Sequence, residues 1–279
     1  MNILVTLNSG YLKQLCIMLT SLCSSNPNEN FDVYIVHSDL TPENFEFLQQ
    51  QAFCNQCKII NTKIDNSLLK DAPVSERFPI EMYYRIFAPS YLPQEMDRIL
   101  YLDPDLVVIN PIDKLYNIEF GSNLMAAASH IKNKTLRKFN QKRLALNSTK
   151  TYFNSGVLLM NLALLRKVQD PQEIYSYIRH KRNRLFLPDQ DVINGVYGNR
   201  IIELDSLIYN LSEKYLTHHN LNLKNKHKRV NLMWVKNNSV VVHYCGRNKP
   251  WKASYRGKLG AFYNKYAALE RKQLSDIKE

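Results

Sequence analysis

Asp103-Pro104-Asp105 ends a β-type apolar run, Arg98-Ile99-Leu100-Tyr101-Leu102. Two carboxylates two residues apart on extended backbone point to the same side. Such a pair can hold one hard divalent cation and leave coordination positions open for phosphate oxygens. D-x-D alone also fits a solvated turn. Its place at the end of a buried strand adds weight, because acids there are costly unless paired and ligand sites of open α/β sheets lie at strand ends. A second cluster, His243-Tyr244-Cys245-Gly246-Arg247-Asn248-Lys249-Pro250-Trp251, follows another apolar run. It offers an imidazole, bare backbone N–H groups and an ammonium to a diphosphate. An imidazole added to two carboxylates favours Mn²⁺ over Mg²⁺, which strongly prefers oxygen. A lone histidine at a strand end also has an ordinary structural reading.

Two further segments carry polar groups into apolar surroundings. Leu187-Pro188-Asp189-Gln190-Asp191 precedes the helical stretch 192–196, so its acids either cap a helix or face a ligand. Tyr152-Phe153-Asn154-Ser155-Gly156 leads into the strand-like run 157–161, where Ser155 and Gly156 let a ligand approach closely.

The elements that must position these groups alternate. Residues 3–7, 31–36 and 58–61 are short β-rich runs. Between them, Leu12, Leu15, Cys16, Leu19, Leu22 and Cys23 keep helical spacing, and Thr41-Pro42-Glu43 is a helix start. That β-α-β-α-β order implies a parallel sheet covered on both faces. A helix is predicted over residues 79–91 and further strands at 98–102, 106–109, 124–128, 157–160, 201–204 and 240–243. The tail from Arg256 places Leu259, Phe262, Tyr263, Tyr266 and Leu269 at helical spacing. One large domain, residues 1–252, with a basic amphipathic C-terminal helix over 253–279, is the economical division.

Composition narrows the class. The 279 residues are 45% hydrophobic and 22% charged, which excludes disorder for most of the chain. No apolar stretch approaches the roughly 20 residues of a bilayer crossing. The N-terminus turns apolar without a basic leader, so it is not read as a signal peptide. Five cysteines without an export signal point to reduced thiols in a cytoplasmic protein, with Cys54 and Cys57 as an isolated C-x-x-C. The net charge of +12 favours polyanions, nucleotide phosphates or an anionic membrane face. Basic residues concentrate in 214–229 and in the tail, which carries Lys252, Arg256, Lys258, Lys265, Arg271, Lys272 and Lys278. The tail is expected either to pack on the domain or to lie at an anionic bilayer surface, on the inner face of the membrane. Nothing matches a named nucleic-acid module, so no nucleic-acid partner is expected.

With those segments in hand, the sequence resembles the retaining glycosyltransferases of family 8, which include bacterial lipopolysaccharide galactosyl- and glucosyltransferases and the glycogenins. The landmarks stand in family order: Leu4-Val5-Thr6-Leu7-Asn8 with Tyr11, Tyr84-Arg85, Asp103-Pro104-Asp105, Phe153-Asn154-Ser155-Gly156-Val157, Asp189-Gln190-Asp191, and His243 through Trp251. The resemblance implies an α/β GT-A fold, a Rossmann-like mixed sheet flanked by helices. It implies a UDP-hexose donor, with Mn²⁺ (Mg²⁺ as substitute) held by Asp103, Asp105 and His243. Thr6, Leu7, Asn8 and Tyr11 match uridine-pocket positions, Gly246 and Lys249 match diphosphate contacts, and Arg85, Asn154, Asp189 and Gln190 match positions around the donor sugar. Pro104 joins the donor-binding set between the two acids. The expected reaction is retaining transfer of galactose or glucose to a saccharide or lipid-linked acceptor.

Retention with a covalent intermediate needs a carboxylate nucleophile on the far sugar face. The family position there is Gln190, a poor nucleophile, so front-face attack with Gln190 polarising the reacting carbon is favoured, and Asp189 is the rival. One departure concerns the sugar site: many relatives carry an aspartate after the strand 124–128, where this chain has Ser129-His130. Two other classes fit the residues less well. A metal-dependent sugar nucleotidyltransferase needs a glycine-rich basic loop after the first strand, which Asn8-Ser9-Gly10 does not supply. A basic nucleic-acid- or membrane-binding protein leaves Asp103-Pro104-Asp105 without a role.

Overall fold

Strands and helices alternate through the first sixty residues of the computed structural model, which describes residues 1–64, 74, 80–131, 133–146 and 151–278. β1 (Asn2–Thr6), α1 (Leu12–Ser25), β2 (Phe31–His37), α2 (Pro42–Gln49) and β3 (Cys57–Lys63) form two crossover units. β1 pairs in parallel with β2, and β2 with β3. Local chemistry starts α2 where expected: the Thr41 hydroxyl accepts the Asn44 N–H, the Asn44 side chain accepts the Thr41 N–H, and Pro42 opens the first turn.

The continuous helix predicted over 79–91 is broken, and residue 79 itself lies outside the described residues. α3 (Glu81–Tyr84) and α4 (Ala88–Tyr91) flank a 3₁₀ turn at Arg85–Phe87. Pro89 has no N–H to give the carbonyl of Arg85 four residues back, so an α-helix cannot run through. The break coincides with the burial of Arg85.

The remainder runs β4 (Arg98–Leu102), β5 (Leu106–Val108), α5 (Asp113–Tyr116), β6 (Met125–Ala128), α6 (Lys134–Leu144), β7 (Val157–Asn161), α7 (Leu162–Val168) and α8 (Pro171–Lys181). It continues with α9 (Pro188–Tyr197), β8 (Ile201–Leu204), α10 (Ser206–Tyr209), α11 (Glu213–Leu221), α12 (Leu232–Asn238), β9 (Val241–His243) and α13 (Gly260–Lys278). One seven-stranded sheet has the order β3-β2-β1-β4-β7-β6-β8. β7 runs antiparallel to both its neighbours, β4 and β6, and the other pairs are parallel. β5 does not continue that sheet; it crosses to pair antiparallel with β9.

α13 answers the question posed by the tail. Leu259, Tyr263, Tyr266 and Ala267 are buried in a cluster with Ile17 of α1 and Val107 of β5. The Tyr266 hydroxyl lies 3.1 Å from the Ser25 hydroxyl. The interfacial-helix alternative is therefore corrected: the apolar stripe is consumed by packing on the domain. No helix among the described residues is long and apolar enough to cross a membrane. The Cys23 and Cys57 sulfurs lie 3.2 Å apart in the core, in hydrogen-bond rather than disulfide contact. The Cys54 side chain lies outside what is described.

Candidate active site

Strand register assembles the acidic centre. Leu102 pairs with Val157, and Leu106 with His243. Asp103 therefore sits beside Gly156, to whose carbonyl it donates at 2.9 Å, and Asp105 sits beside Tyr244, whose N–H it accepts at 3.0 Å. The carboxylates do not converge through strand alternation, as the D-x-D reading supposed. Pro104 and Asp105 turn the chain between β4 and β5. From either side of that turn both acids face His243 Nε2, at 3.5 Å from Asp103 Oδ2 and 3.1 Å from Asp105 Oδ1.

This centre fits a divalent cation. One ligand atom from each of Asp103, Asp105 and His243 lies within 4.8 Å of the others. A Cβ on Gly156 would stand 2.2 Å from His243 Cε1 and 2.6 Å from Asp103 Oδ2, so only glycine leaves the cradle open. Two carboxylates and one imidazole form a mixed oxygen and nitrogen donor set for a divalent cation. Burial would raise the Asp105 carboxyl, but His243 and Lys249 outweigh it and hold it well below the usual carboxylate range. Burial would likewise lower His243 and Lys249, yet Asp105 raises both. The Lys249 ammonium bonds Asp105 and also donates to the Tyr244 carbonyl at 3.1 Å. A compact patch of compensated charge results.

A chain of amides orients the imidazole. The Gly156 N–H donates to Asn154 Oδ1 at 3.0 Å, and Asn210 Nδ2 donates to the same oxygen at 2.9 Å. Asn210 Oδ1 is thereby turned to His243 Nδ1, 2.9 Å away. A neutral His243 then carries its proton on Nδ1 and presents a bare Nε2 to the carboxylates. Asn154 Nδ2 and the Ser155 N–H both donate to Gln190 Oε1, at 3.0 and 3.2 Å, and fix that amide in turn. Asn210 was not singled out from sequence. Its only signal is a polar residue between apolar Ile208-Tyr209 and Leu211, on a segment that bridges to Val242.

The three residues Asp189, Gln190 and Asp191 divide their labour. Asp189 faces the centre: it accepts from Ser155 Oγ at 2.8 Å and lies 3.6 Å from Arg85 Nη1. Burial raises its pKa despite Arg85. Arg85 also bonds Asp103 Oδ1 at 2.9 Å and the Ser155 carbonyl at 3.0 Å, with its guanidinium 4.1 Å over the Tyr101 ring. Asp191 points away. It takes both Arg143 nitrogens at 2.7 Å, the Tyr152 hydroxyl at 2.5 Å and the N–H groups of Phe186 and Leu187. Helix α9 is thus pinned by one acid and offers its neighbours to the site.

All the predicted site residues line one cleft of about 1380 Å³. Thr6, Leu7, Asn8 and Tyr11 come from the end of β1 and the turn after it, and Thr6 Oγ1 meets the Tyr101 hydroxyl at 3.2 Å. Gly246, at φ 98°, occupies backbone space that side chains rarely adopt, on the segment leading to Lys249. Tyr11 stands edge-on to Trp251, ring centres 6.1 Å apart. At the departing Ser129-His130 position, Ser129 bonds Thr151 and the Tyr152 carbonyl, whereas His130 lines the cleft and contacts the Asn210 carbonyl at 2.6 Å.

Comparison with known proteins places this geometry. The family model described as Glycosyl transferase family 8 matches residues 2–254. A lipopolysaccharide 1,2-glucosyltransferase of Escherichia coli is 26% identical over 251 residues, covering 88% of this chain and 71% of its own. General stress protein A of Bacillus subtilis is 25% identical over 262 residues, covering 91% and 88%. The crystal structure of the galactosyltransferase LgtC with donor and acceptor sugar analogues superposes at a TM-score of 0.79, with 19% identity, covering 97% of this chain and 96% of that one. The fold is the expected GT-A fold, and the chain belongs to glycosyl transferase family 8.

Proposed function

We propose that this protein transfers a hexosyl unit, glucose or galactose, from a UDP-sugar to a saccharide or lipid-linked acceptor, with retention of configuration and with Mn²⁺ as cofactor. The observation that carries the reading is the convergence of Asp103, Asp105 and His243 on one point of a cleft that also holds Lys249 and Gln190. The names of relatives, a glucosyltransferase and a galactosyltransferase, support hexosyl transfer. When bound, the cation would neutralise charge growing on the diphosphate as the sugar–phosphate bond breaks. Lys249 adds a second positive group to that leaving group, and the glycine at 246 lets backbone approach it.

Of the two carboxylate-or-amide candidates for the sugar's far face, Asp189 is committed to Arg85 and Ser155. Gln190 is uncharged, and its Oε1 already accepts two hydrogen bonds. Neither is a free nucleophile, which favours front-face attack. The acceptor oxygen then bonds to the anomeric carbon on the side the phosphate leaves, and its proton passes to a departing phosphate oxygen. Gln190 stays in place as a dipole beside the developing oxocarbenium charge.

The test begins with ligand-dependent melting. UDP with Mn²⁺ should raise the melting temperature well beyond either alone. Hydrolysis of UDP-glucose and UDP-galactose then identifies the donor without knowledge of the acceptor. Asp103→Asn and Asp105→Asn should each remove turnover while leaving the fold intact; near-normal turnover at limiting Mn²⁺ in either variant overturns the assignment.

A further inference from the structure

With the apolar stripe of α13 packed into the domain, the tail leaves cations such as Lys265, Arg271 and Lys272 exposed but no apolar side for a bilayer; that side has to be sought elsewhere. The cleft mouth carries a concentration of unburied apolar side chains. On one wall, Leu136 and Phe139 of α6 are exposed, and Phe139 stacks on exposed Phe186 with ring centres 6.2 Å apart. On the other wall, Leu221 is 73% exposed at the end of α11 and Leu223 is 87% exposed just beyond it. Leu136 and Leu221 both line the cleft, so the two walls belong to one opening. Isolated exposed apolar residues need no explanation, but a group around one mouth does.

Charge on the same rim has one sign. Residues 120–169 contain no aspartate or glutamate, and neither do residues 214–269. Lys134 and Lys138 on α6, Arg184 beside Phe186, and Lys224, Lys226 and Lys228 beyond α11 are exposed. A soluble polyanion would account for the cations but not for two leucines standing in water, which offer no flat face to a sugar and no donor to a phosphate. An anionic bilayer accounts for both: headgroups meet the ammonium and guanidinium groups, and the leucine and phenylalanine side chains enter the acyl boundary.

We infer that this rim is a peripheral docking surface that seats the mouth of the cleft on an anionic phospholipid bilayer. The cleft then opens onto the lipid, and an acceptor held in the membrane reaches the anomeric carbon without leaving it. Docking stands on the rim residues alone and does not depend on the donor assignment.

The experiment uses the full chain with vesicles of phosphatidylglycerol and phosphatidylcholine, against phosphatidylcholine alone. The protein should co-sediment with the anionic vesicles at low salt, be released at high salt, and ignore the neutral ones. The double variant Phe139→Ser, Leu223→Ser removes one apolar contact from each wall and should bind about tenfold more weakly. Stabilisation by UDP and Mn²⁺ should be unchanged in it, which separates failure of docking from failure of the donor reading. Leu223→Ser alone, at a side chain almost wholly in solvent, should already weaken binding severalfold without a cost in folding. Absence of wild-type binding overturns the inference. So does equal binding by the variants, with dextran sulfate displacing both, because charge alone would then carry it. A wild-type dimer that the variants convert to monomer, without vesicle binding, would instead make the rim an interface between copies.

Discussion

His130 follows β6 and lines the cleft, and the consequences are physical before they are functional. Its Nε2–H donates to the Asn210 carbonyl, and burial pushes the ring below its ordinary pKa of 6.5. A depressed folded pKa means that the native state favours the neutral ring. The resulting stability is present above 6.5 and is lost as pH falls through the folded value. The loss can reach about 1.4 kcal/mol per pH unit between the two values. Thermal melts from about pH 7 to about pH 5 should therefore show His130→Asn losing less stability than the wild type, and parallel curves would mean that His130 does not titrate this way. Asn210 holds the neighbouring node. Asn210→Ala frees the His243 ring and should weaken Mn²⁺ binding about 10–100-fold, read by the loss of the free-ion paramagnetic resonance signal. Asn210→Asp keeps an acceptor for Nδ1–H but cannot donate to Asn154, so it should preserve metal binding and lower turnover. Equal metal affinity in all three proteins would reduce Asn210 to filler.

At the scale of elements, α13 shows why an amphipathic stripe is ambiguous in sequence. Leu259, Tyr263 and Tyr266 recur at the same period whether the partner is lipid or protein, and only the apolar face of α1 and β5 decides it. Tyr266→Ala should cost about 3–5 kcal/mol and Tyr266→Phe about 1 kcal/mol, measured by urea denaturation, because the first empties core volume and the second removes only the hydroxyl contact to Ser25. A loss below about 1 kcal/mol for Tyr266→Ala would return the helix to the surface. The break after Tyr84 was foreseeable from Pro89, since the missing N–H is a property of the residue itself. The departure of β5 from the main sheet was not foreseeable. Its run Leu106-Val107-Val108 is equally apolar in either sheet, and the choice depends on β9, more than a hundred residues away.

For the molecule as a whole, what could be read in advance was whatever repeats locally or carries a fixed chemistry: strand–helix alternation, the Thr41-Pro42 cap, and acids at a strand end. Every predicted site residue does line the cleft, yet Asn210, which orients Asn154 and His243, has only a faint local signal because its meaning comes from three distant partners. That distance also has a temporal side. Asp105 and His243 are separated by 138 positions. At common rates of synthesis, on the order of ten seconds passes between their emergence. Throughout that interval the two acids exist without their imidazole, and β5 exists without β9. A growing chain thus carries both acids while the cluster they form with His243 is incomplete. The cleft is completed only once His243 and Lys249 have been made, late in synthesis.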